Sequence, residues 1–82
     1  MNITVAAGAT NTGFTGNQAP VIQNLGPGDL YVYNKSTSIT TEGIYLPPYA
    51  VYEFPVTVVE GPGEIWVQAL NGTCDMRILN VG

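Results

Sequence analysis

Short runs of alternating apolar and polar residues fill the chain from residue 20 onward. In residues 29–34, Leu30 and Val32 fall on one face of an extended strand, and Tyr31 and Tyr33 fall on the other. Residues 74–81 alternate in the same way, residues 64–70 give the strongest strand signal, and glycine or proline closes most of the runs. No stretch has a sustained apolar period of 3.6 residues with helix caps, so we expect a helix content near zero.

Turn residues divide this part of the chain into about six to eight short strands. Residues 26–28 and 61–63 both read Gly-Pro-Gly, and Asn71-Gly72 is typical of a two-residue hairpin because both central residues of a type I′ turn need positive φ. The remaining runs cover residues 21–25, 36–41, 44–46, 50–54 and 56–59. This spacing predicts an all-β fold, a small antiparallel β-sandwich or barrel.

The N-terminal residues 1–18 have a different composition, rich in Ala, Gly, Thr and Asn. After Met1, their only large apolar residues are Ile3, Val5 and Phe14, so we expect no core layer from them. We therefore predict an extended N-terminal arm over 1–18 and a β domain over 19–82. Two interpretations remain open: a loose terminus, or an arm that lies on a neighbouring subunit with Phe14 as its anchor.

One internal similarity links two segments of the β domain. Residues 26–32 and 61–67 agree in residue type throughout, each reading turn, acid, aliphatic, aromatic and valine. One hypothesis is that they are pseudo-equivalent strands, one in each sheet. The other is that junctions between turns and strands often have this composition.

The charge balance excludes some classes of partner. Only 10% of the residues are charged, against about 25% in a typical domain. The net charge is −4, and Lys35 and Arg77 are the only cations, which is too few for a face that binds a phosphate backbone. No run approaches the roughly 18 apolar residues of a membrane span, and the start of the chain lacks the pattern of a signal peptide. We therefore expect no nucleic-acid or membrane partner, and synthesis in a cytoplasm.

Residues suited to catalysis are scarce. The chain has no histidine, which removes the commonest general base and the commonest metal ligand. Cys74 is the only cysteine and alternates with apolar residues, so it is predicted to be a core thiol without a disulfide partner. Glu60 and Glu64 flank a predicted turn, where both should be solvated. We predict no enzyme, no catalytic residue, no cofactor and no metal site.

An excess of aromatic residues is the strongest functional signal. Tyrosine and tryptophan combine a large apolar area with a polar group, which favours them at protein interfaces. So small a chain, without a disulfide or an evident metal, also gains stability by associating with other chains. We predict a homo-oligomer whose interface anchors are Phe14, Tyr31, Tyr33, Tyr45 and Trp66. The alternative is that these are ordinary half-buried aromatics of a sandwich.

Three segments carry a resemblance to a known group of proteins: residues 24–32, residues 39–48 and residues 65–69. They resemble small β proteins encoded in the structural gene clusters of tailed phages, in which a Gly-x-aliphatic-Tyr strand precedes a segment ending in Leu-x-Pro and a late aromatic strand. The resemblance covers residues 24–82 and leaves out the N-terminal arm. At Pro48-Tyr49 the chain departs from the Pro-Gly turn expected there, which leaves that turn uncertain.

The resemblance implies a virion protein that binds a capsid or tail lattice and carries no catalytic residues. The leading hypothesis is a capsid decoration, or cement, protein that stabilises the head lattice. It would be a homo-oligomer, with a trimer as the first expectation, bound to the major capsid protein or another virion protein. Its location would be the virion, assembled in the host bacterial cytoplasm. The alternatives are a tail, head–tail connector or receptor-binding fibre component, and a carbohydrate-binding β module in which Trp66 and Tyr31 form the platform.

Overall fold

The computed structural model of the chain describes residues 2–15, 20–53 and 64–80. These residues form six strands and one helical turn, and every strand pairing is antiparallel within a single sheet. The all-β prediction is thus confirmed. The elements are β1 (Asn2–Val5), β2 (Thr10–Thr15), β3 (Pro20–Tyr33), α1 (Ile39–Glu42), β4 (Ile44–Leu46), β5 (Val51–Glu53) and β6 (Glu64–Asn80).

Two long strands, β3 and β6, form the axis of the fold. They pair from Pro20 opposite Asn80 to Tyr33 opposite Trp66, with register shifts near the middle. Between the flanking pairs, β6 contains one more residue than β3. The buried residues of β6 therefore have odd numbers before the shift and even numbers after it. In β3 the buried residues have even numbers throughout.

The predicted turn at residues 26–28 and the predicted hairpin at Asn71-Gly72 are both wrong. Each lies inside a long strand, and the two lie opposite one another where the sheet bends. Positive φ at Gly26, Asn71 and Gly72 serves here to form bulges and not to reverse the chain. The strands approach so closely that a Cβ on Gly28 would lie 2.8 Å from the carbonyl oxygen of Gly72.

The bend folds the sheet into two layers that face each other. One layer contains β1, β5 and the halves of β3 and β6 near residues 20–24 and 74–80, and the other contains β2, β4 and the opposite halves. Both layers contribute to one apolar core. The predicted sandwich is therefore a single sheet folded on itself. The core comprises Val5, Ile22, Leu30, Val32, Leu46, Ile65, Val67, Ala69, Cys74, Met76 and Ile78.

The strand pairing has an internal two-fold pattern. Strand β1 pairs with the C-terminal half of β6, and β4 pairs with the C-terminal half of β3. Likewise β2 pairs with the N-terminal half of β6, and β5 with that of β3. The sequence similarity between residues 26–32 and 61–67 does not follow this pattern, because residues 30–32 pair with residues 67–69 as neighbours in the same sheet.

The predicted extended arm is not confirmed, because residues 2–5 and 10–15 are strands of the sheet. Val5 is completely buried in the core, and Phe14 is half-buried and packs against it. The small side chains of this segment did not prevent strand formation, because β1 and β2 need only pair with the free edge of β6. The proposed boundary between residues 18 and 19 lies outside the described residues, as do the predicted strand at 56–59 and the predicted turn at 61–63.

The segment at residues 36–41, predicted as a strand, instead contains bends and the start of α1. The amide nitrogen atoms of Thr41 and Glu42 donate to the carbonyl oxygen of Ser38 and close the helical turn. Ile39 is the only large apolar residue of the segment, and the turn buries it almost completely. No helix among the described residues has the length and apolar character to cross a membrane.

Candidate binding face

The outer surface of the layer formed by β4, the C-terminal half of β3 and the N-terminal half of β6 carries four of the seven aromatic side chains in the described part of the chain. The alternation that buries Leu30, Val32 and Val67 turns their neighbours along each strand outward. Register then brings these neighbours together across the strands. We call this surface the aromatic face, and it comprises Asp29, Tyr31, Tyr33, Tyr45, Glu64, Trp66, Gln68 and Leu70.

One ring contact and one pair of aromatic residues on neighbouring strands define the aromatic face. Tyr45 of β4 lies opposite Tyr31 of β3, and their ring centroids are 5.2 Å apart with an interplanar angle of 35°. Tyr33 lies opposite Trp66 of β6. Tyr45 is 49% exposed, whereas Tyr31, Tyr33 and Trp66 are half-buried. The rings thus have supported positions and accessible edges, which suits a contact surface.

Asp29 fixes the outermost ring of the aromatic face. The Tyr45 hydroxyl donates to Asp29 Oδ1 at 3.0 Å, and the Asn71 side-chain amide donates to Asp29 Oδ2 at 3.1 Å. This hydrogen bond to the Asp29 carboxylate, with desolvation and the negative charge of Asp29, raises the pKa of Tyr45. Positive φ at Asn71 places its amide at the bend, so the bulge contributes directly to the site.

Two further carboxylates border the aromatic face. The Tyr33 hydroxyl donates to Glu42 Oε2 at 3.3 Å, and the Asn11 amide of β2 donates to Glu64 Oε2 at 2.6 Å. Desolvation, followed by the charge of Glu42 and this hydrogen bond, raises the pKa of Tyr33. The aromatic face therefore combines aromatic rings with carboxylates that are held by neighbouring side chains.

The strand segments that form the aromatic face, residues 28–33, 44–46 and 64–70, contain neither of the two cations. Arg77 is on the other layer, exposed between Asn2 of β1 and Gln23 of β3. Lys35 is exposed in the bends that follow β3. The two outer surfaces of the sandwich consequently differ in character, one aromatic and acidic and the other mixed.

Four of the five predicted interface anchors come together on the aromatic face: Tyr31, Tyr33, Tyr45 and Trp66. Phe14 is not among them, because it packs against the core from β2. The direct partner of Trp66 across the strands is Tyr33, and Tyr31 lies opposite Gln68. Whether these side chains form an interface stays a prediction.

The buried position of Cys74 is confirmed. Burial, together with the charges of Asp29 and Asp75, raises the pKa of its thiol. The Sγ atom donates to the carbonyl oxygen of Asp29 at 3.1 Å. Within residues 2–15, 20–53 and 64–80, no three His, Cys, Asp or Glu side chains are grouped so that they could hold a metal ion.

Sequence reasoning missed Asp29, Asn71 and Tyr49. Asp29 was predicted to begin a strand and Asn71 to lie in a hairpin turn more than 40 residues later, so nothing in the sequence brought them together. For Tyr49 the sequence did give a signal, because Tyr49 stands where a Pro-Gly turn would have glycine. The turn forms all the same: the amide nitrogen of Ala50 donates to the carbonyl oxygen of Pro47 at 3.0 Å. Tyr49 occupies the third position with φ 71°, where glycine is usual, and is 75% exposed.

Comparisons with known proteins find no relative: no family model, curated protein or solved structure matches the chain. The aromatic face is therefore the feature from which a function can be inferred.

Proposed function

We propose that the protein is a non-catalytic structural protein that docks onto a protein lattice through its aromatic face. The setting we propose is a tailed-phage virion, with the protein acting as a capsid decoration protein that stabilises the head. In this role it works as a homo-oligomer, with a trimer as the first expectation. Its partner is the major capsid protein or another virion protein.

The clustering of Tyr31, Tyr33, Tyr45 and Trp66 on one outer surface is the observation that carries this proposal. Each such side chain can bury about 150–250 Å², and a specific interface of standard size takes about 800 Å² from each partner. Tyr45 is 49% exposed and the other three are half-buried, so the four rings could supply the centre of one docking surface, and the neighbouring residues of the aromatic face would supply the rest. Because packing and hydrogen bonds already position them, docking would require little further ordering of side chains.

Sedimentation of the purified protein with undecorated phage heads tests the proposal. We expect the protein to co-sediment with the heads, and the variants Tyr45→Ala and Trp66→Ala to bind at least about tenfold more weakly, as anchor residues do. Leu79→Ala and Val51→Ala are matched controls, because both remove exposed apolar side chains from the other outer surface. Absence of binding at every salt concentration, or equal losses in all four variants, would contradict the proposal.

Two alternatives predict different results. A head–tail connector or tail component would assemble with the six- or twelve-fold symmetry of those structures, whereas a decoration protein forms smaller rings, so native mass spectrometry separates them. A carbohydrate-binding module is favoured by one observation, the position of Trp66 beside Tyr33 with Glu64 on the same strand. Specific binding on a glycan array, lost in Trp66→Ala, would favour that function over docking to protein.

A further inference from the structure

We infer that the partner surface presents arginine side chains to the aromatic face. This inference rests on the proposed docking function and adds the chemistry of the partner. It follows from the charges around the rings and from the lone pairs of the carboxylates that neighbouring side chains leave open to further donors.

The charge distribution selects a basic partner. Asp29, Glu42 and Glu64 border the rings, whereas Arg77 is on the other outer surface and Lys35 lies in the exposed bends after β3. An interface gains specificity and association rate when potentials of opposite sign meet, and like charges placed opposite one another disfavour it. A nucleic acid or an anionic lipid surface would meet these carboxylates with negative charge.

A second copy of the chain bound by the same surface is disfavoured for the same reason. A two-fold dimer brings identical patches together, so Asp29, Glu42 and Glu64 of one copy would face the same residues of the other. The only strand cation, Arg77, is on the opposite outer surface and could not compensate in such a dimer. The occupant is therefore a different surface with an excess of cations.

Hydrogen bonding distinguishes arginine from lysine. A carboxylate is an acceptor with about four lone-pair sites, and Asp29 uses its two oxygens for one neighbouring donor each. The remaining sites are open to further donors. Guanidinium supplies five N–H groups and no acceptor, and its plane stacks on aromatic rings. Lysine provides the charge without the stacking or the bidentate geometry.

Asp29 and Glu64 are each next to an aromatic residue, so each carboxylate and its ring could bind one guanidinium group together. Asp29 is bonded to Tyr45, whose ring packs on Tyr31. Glu64 lies two residues from Trp66 on the same side of β6, which places both side chains outward. An arginine at either position can stack on a ring and pair with the adjacent carboxylate.

Trp66 makes the test direct, because it is the only tryptophan of the chain and lies on the aromatic face. Fluorescence titrations use the short peptide probes acetyl-GRGRG-amide, acetyl-GKGKG-amide and acetyl-GEGEG-amide. We expect a saturable change in Trp66 emission with the arginine peptide, binding about threefold to tenfold weaker with the lysine peptide, and none with the glutamate peptide. Affinity for the arginine peptide should fall as salt rises from about 50 to about 500 mM.

Charge-neutral variants locate the binding. Asp29→Asn and Glu64→Gln preserve shape and should each weaken binding of the arginine peptide about threefold or more, because an ion pair is lost beside a ring. Asp75→Asn is the matched control, since Asp75 is an exposed strand carboxylate on the other outer surface, where it accepts from Thr4. It should leave the affinity unchanged.

The results separate the two proposals. No saturable response to the arginine peptide, or equal affinities for the arginine and lysine peptides, would overturn the inference. Head binding that is lost in Trp66→Ala yet is unaffected by salt and by Asp29→Asn would also overturn it, while leaving docking through the aromatic face intact. Normal head binding by Trp66→Ala and Tyr45→Ala would instead refute the proposed function.

Discussion

Replacing Asn24 with leucine should destabilise the protein severely, because this buried amide holds the bend of the sheet. Its side-chain nitrogen donates to the carbonyl oxygens of Gly28 at 3.0 Å and Leu46 at 2.9 Å. Its side-chain oxygen accepts from the amide nitrogen of Gly26 at 2.8 Å. Asn24 itself is completely buried. The substitution keeps approximate size and removes all three hydrogen bonds.

The expected loss is about 3–5 kcal/mol of unfolding free energy, since each buried group left without a partner costs roughly 1–3 kcal/mol and the structure relaxes in part. A domain of this size has about 4–12 kcal/mol in total. Even a loss of about 3 kcal/mol lowers Tm by roughly 12–24 °C. The substitution should therefore remove a large fraction of the stability.

Urea unfolding followed by the fluorescence of Trp66 measures this loss, with thermal unfolding as a second readout. Asn34→Ala is the matched control, because it truncates an exposed asparagine and should change stability by less than about 0.5 kcal/mol. Asn24→Asp should also be destabilised, since a carboxylate keeps an acceptor for Gly26 and cannot donate to the two carbonyls. A loss below about 1 kcal/mol in Asn24→Leu would show that backbone pairing alone maintains the bend.

Four further predictions concern single positions. Gly28→Ala should cost roughly 1–3 kcal/mol in urea unfolding because its Cβ would meet the backbone of the opposite strand, whereas Gly8→Ala, with open space around it, should cost less than about 0.5 kcal/mol. Tyr49→Gly should leave the free energy of unfolding unchanged or raise it by up to about 1 kcal/mol. Glycine adopts the left-handed backbone conformation of residue 49 without steric strain, and this gain outweighs the added flexibility of the unfolded chain. A clear loss of stability would show that the Tyr49 ring stabilises the fold. Cys74 should resist a disulfide reagent at pH near 8 in the native protein and react after unfolding, and rapid native reaction would contradict its burial. The pKa of Tyr45 is raised from 10.0, so the contact of its protonated hydroxyl with Asp29 stabilises the fold fully below pH 10.0 and is lost as pH rises through the raised pKa. The Tm of Tyr45→Phe should therefore fall less steeply with alkaline pH than the Tm of the unaltered protein. Parallel curves of Tm against pH would refute the Asp29 contact.

Local alternation allowed the sequence to predict which residues face the core. Leu30, Val32 and Cys74 are buried because a strand turns successive side chains to opposite sides, whatever its partner. The path of the chain could not be predicted in this way. Positive φ at Gly26 and Asn71 suits a turn or a bulge equally, and only the pairing between distant strands decides between them.

The aromatic face shows the same division between local and distant information. The outward direction of Tyr31 and Tyr33 followed from alternation, and Tyr45 was identified as an aromatic of a neighbouring run. Their meeting depends on the register of β3 with β4, which a sequence pattern does not specify. Asp29 and Asn71 could not be assigned to the site for the same reason, because they belong to different strands, β3 and β6, and meet only through the pairing of those strands.

The bend links the stability of the fold to the geometry of the aromatic face. Asn71 adopts its positive φ to form the bulge, and the same residue donates to the carboxylate that fixes Tyr45. The carbonyl oxygen of Asp29 also accepts from the buried thiol of Cys74, so Asp29 contacts the core through its backbone and the outer surface through its side chain. A bulge of this kind bends the strand that contains it and so helps a single sheet to fold on itself. In this protein the bulge also positions the Tyr45 ring, so one local feature serves both the core and the proposed docking surface of a short chain.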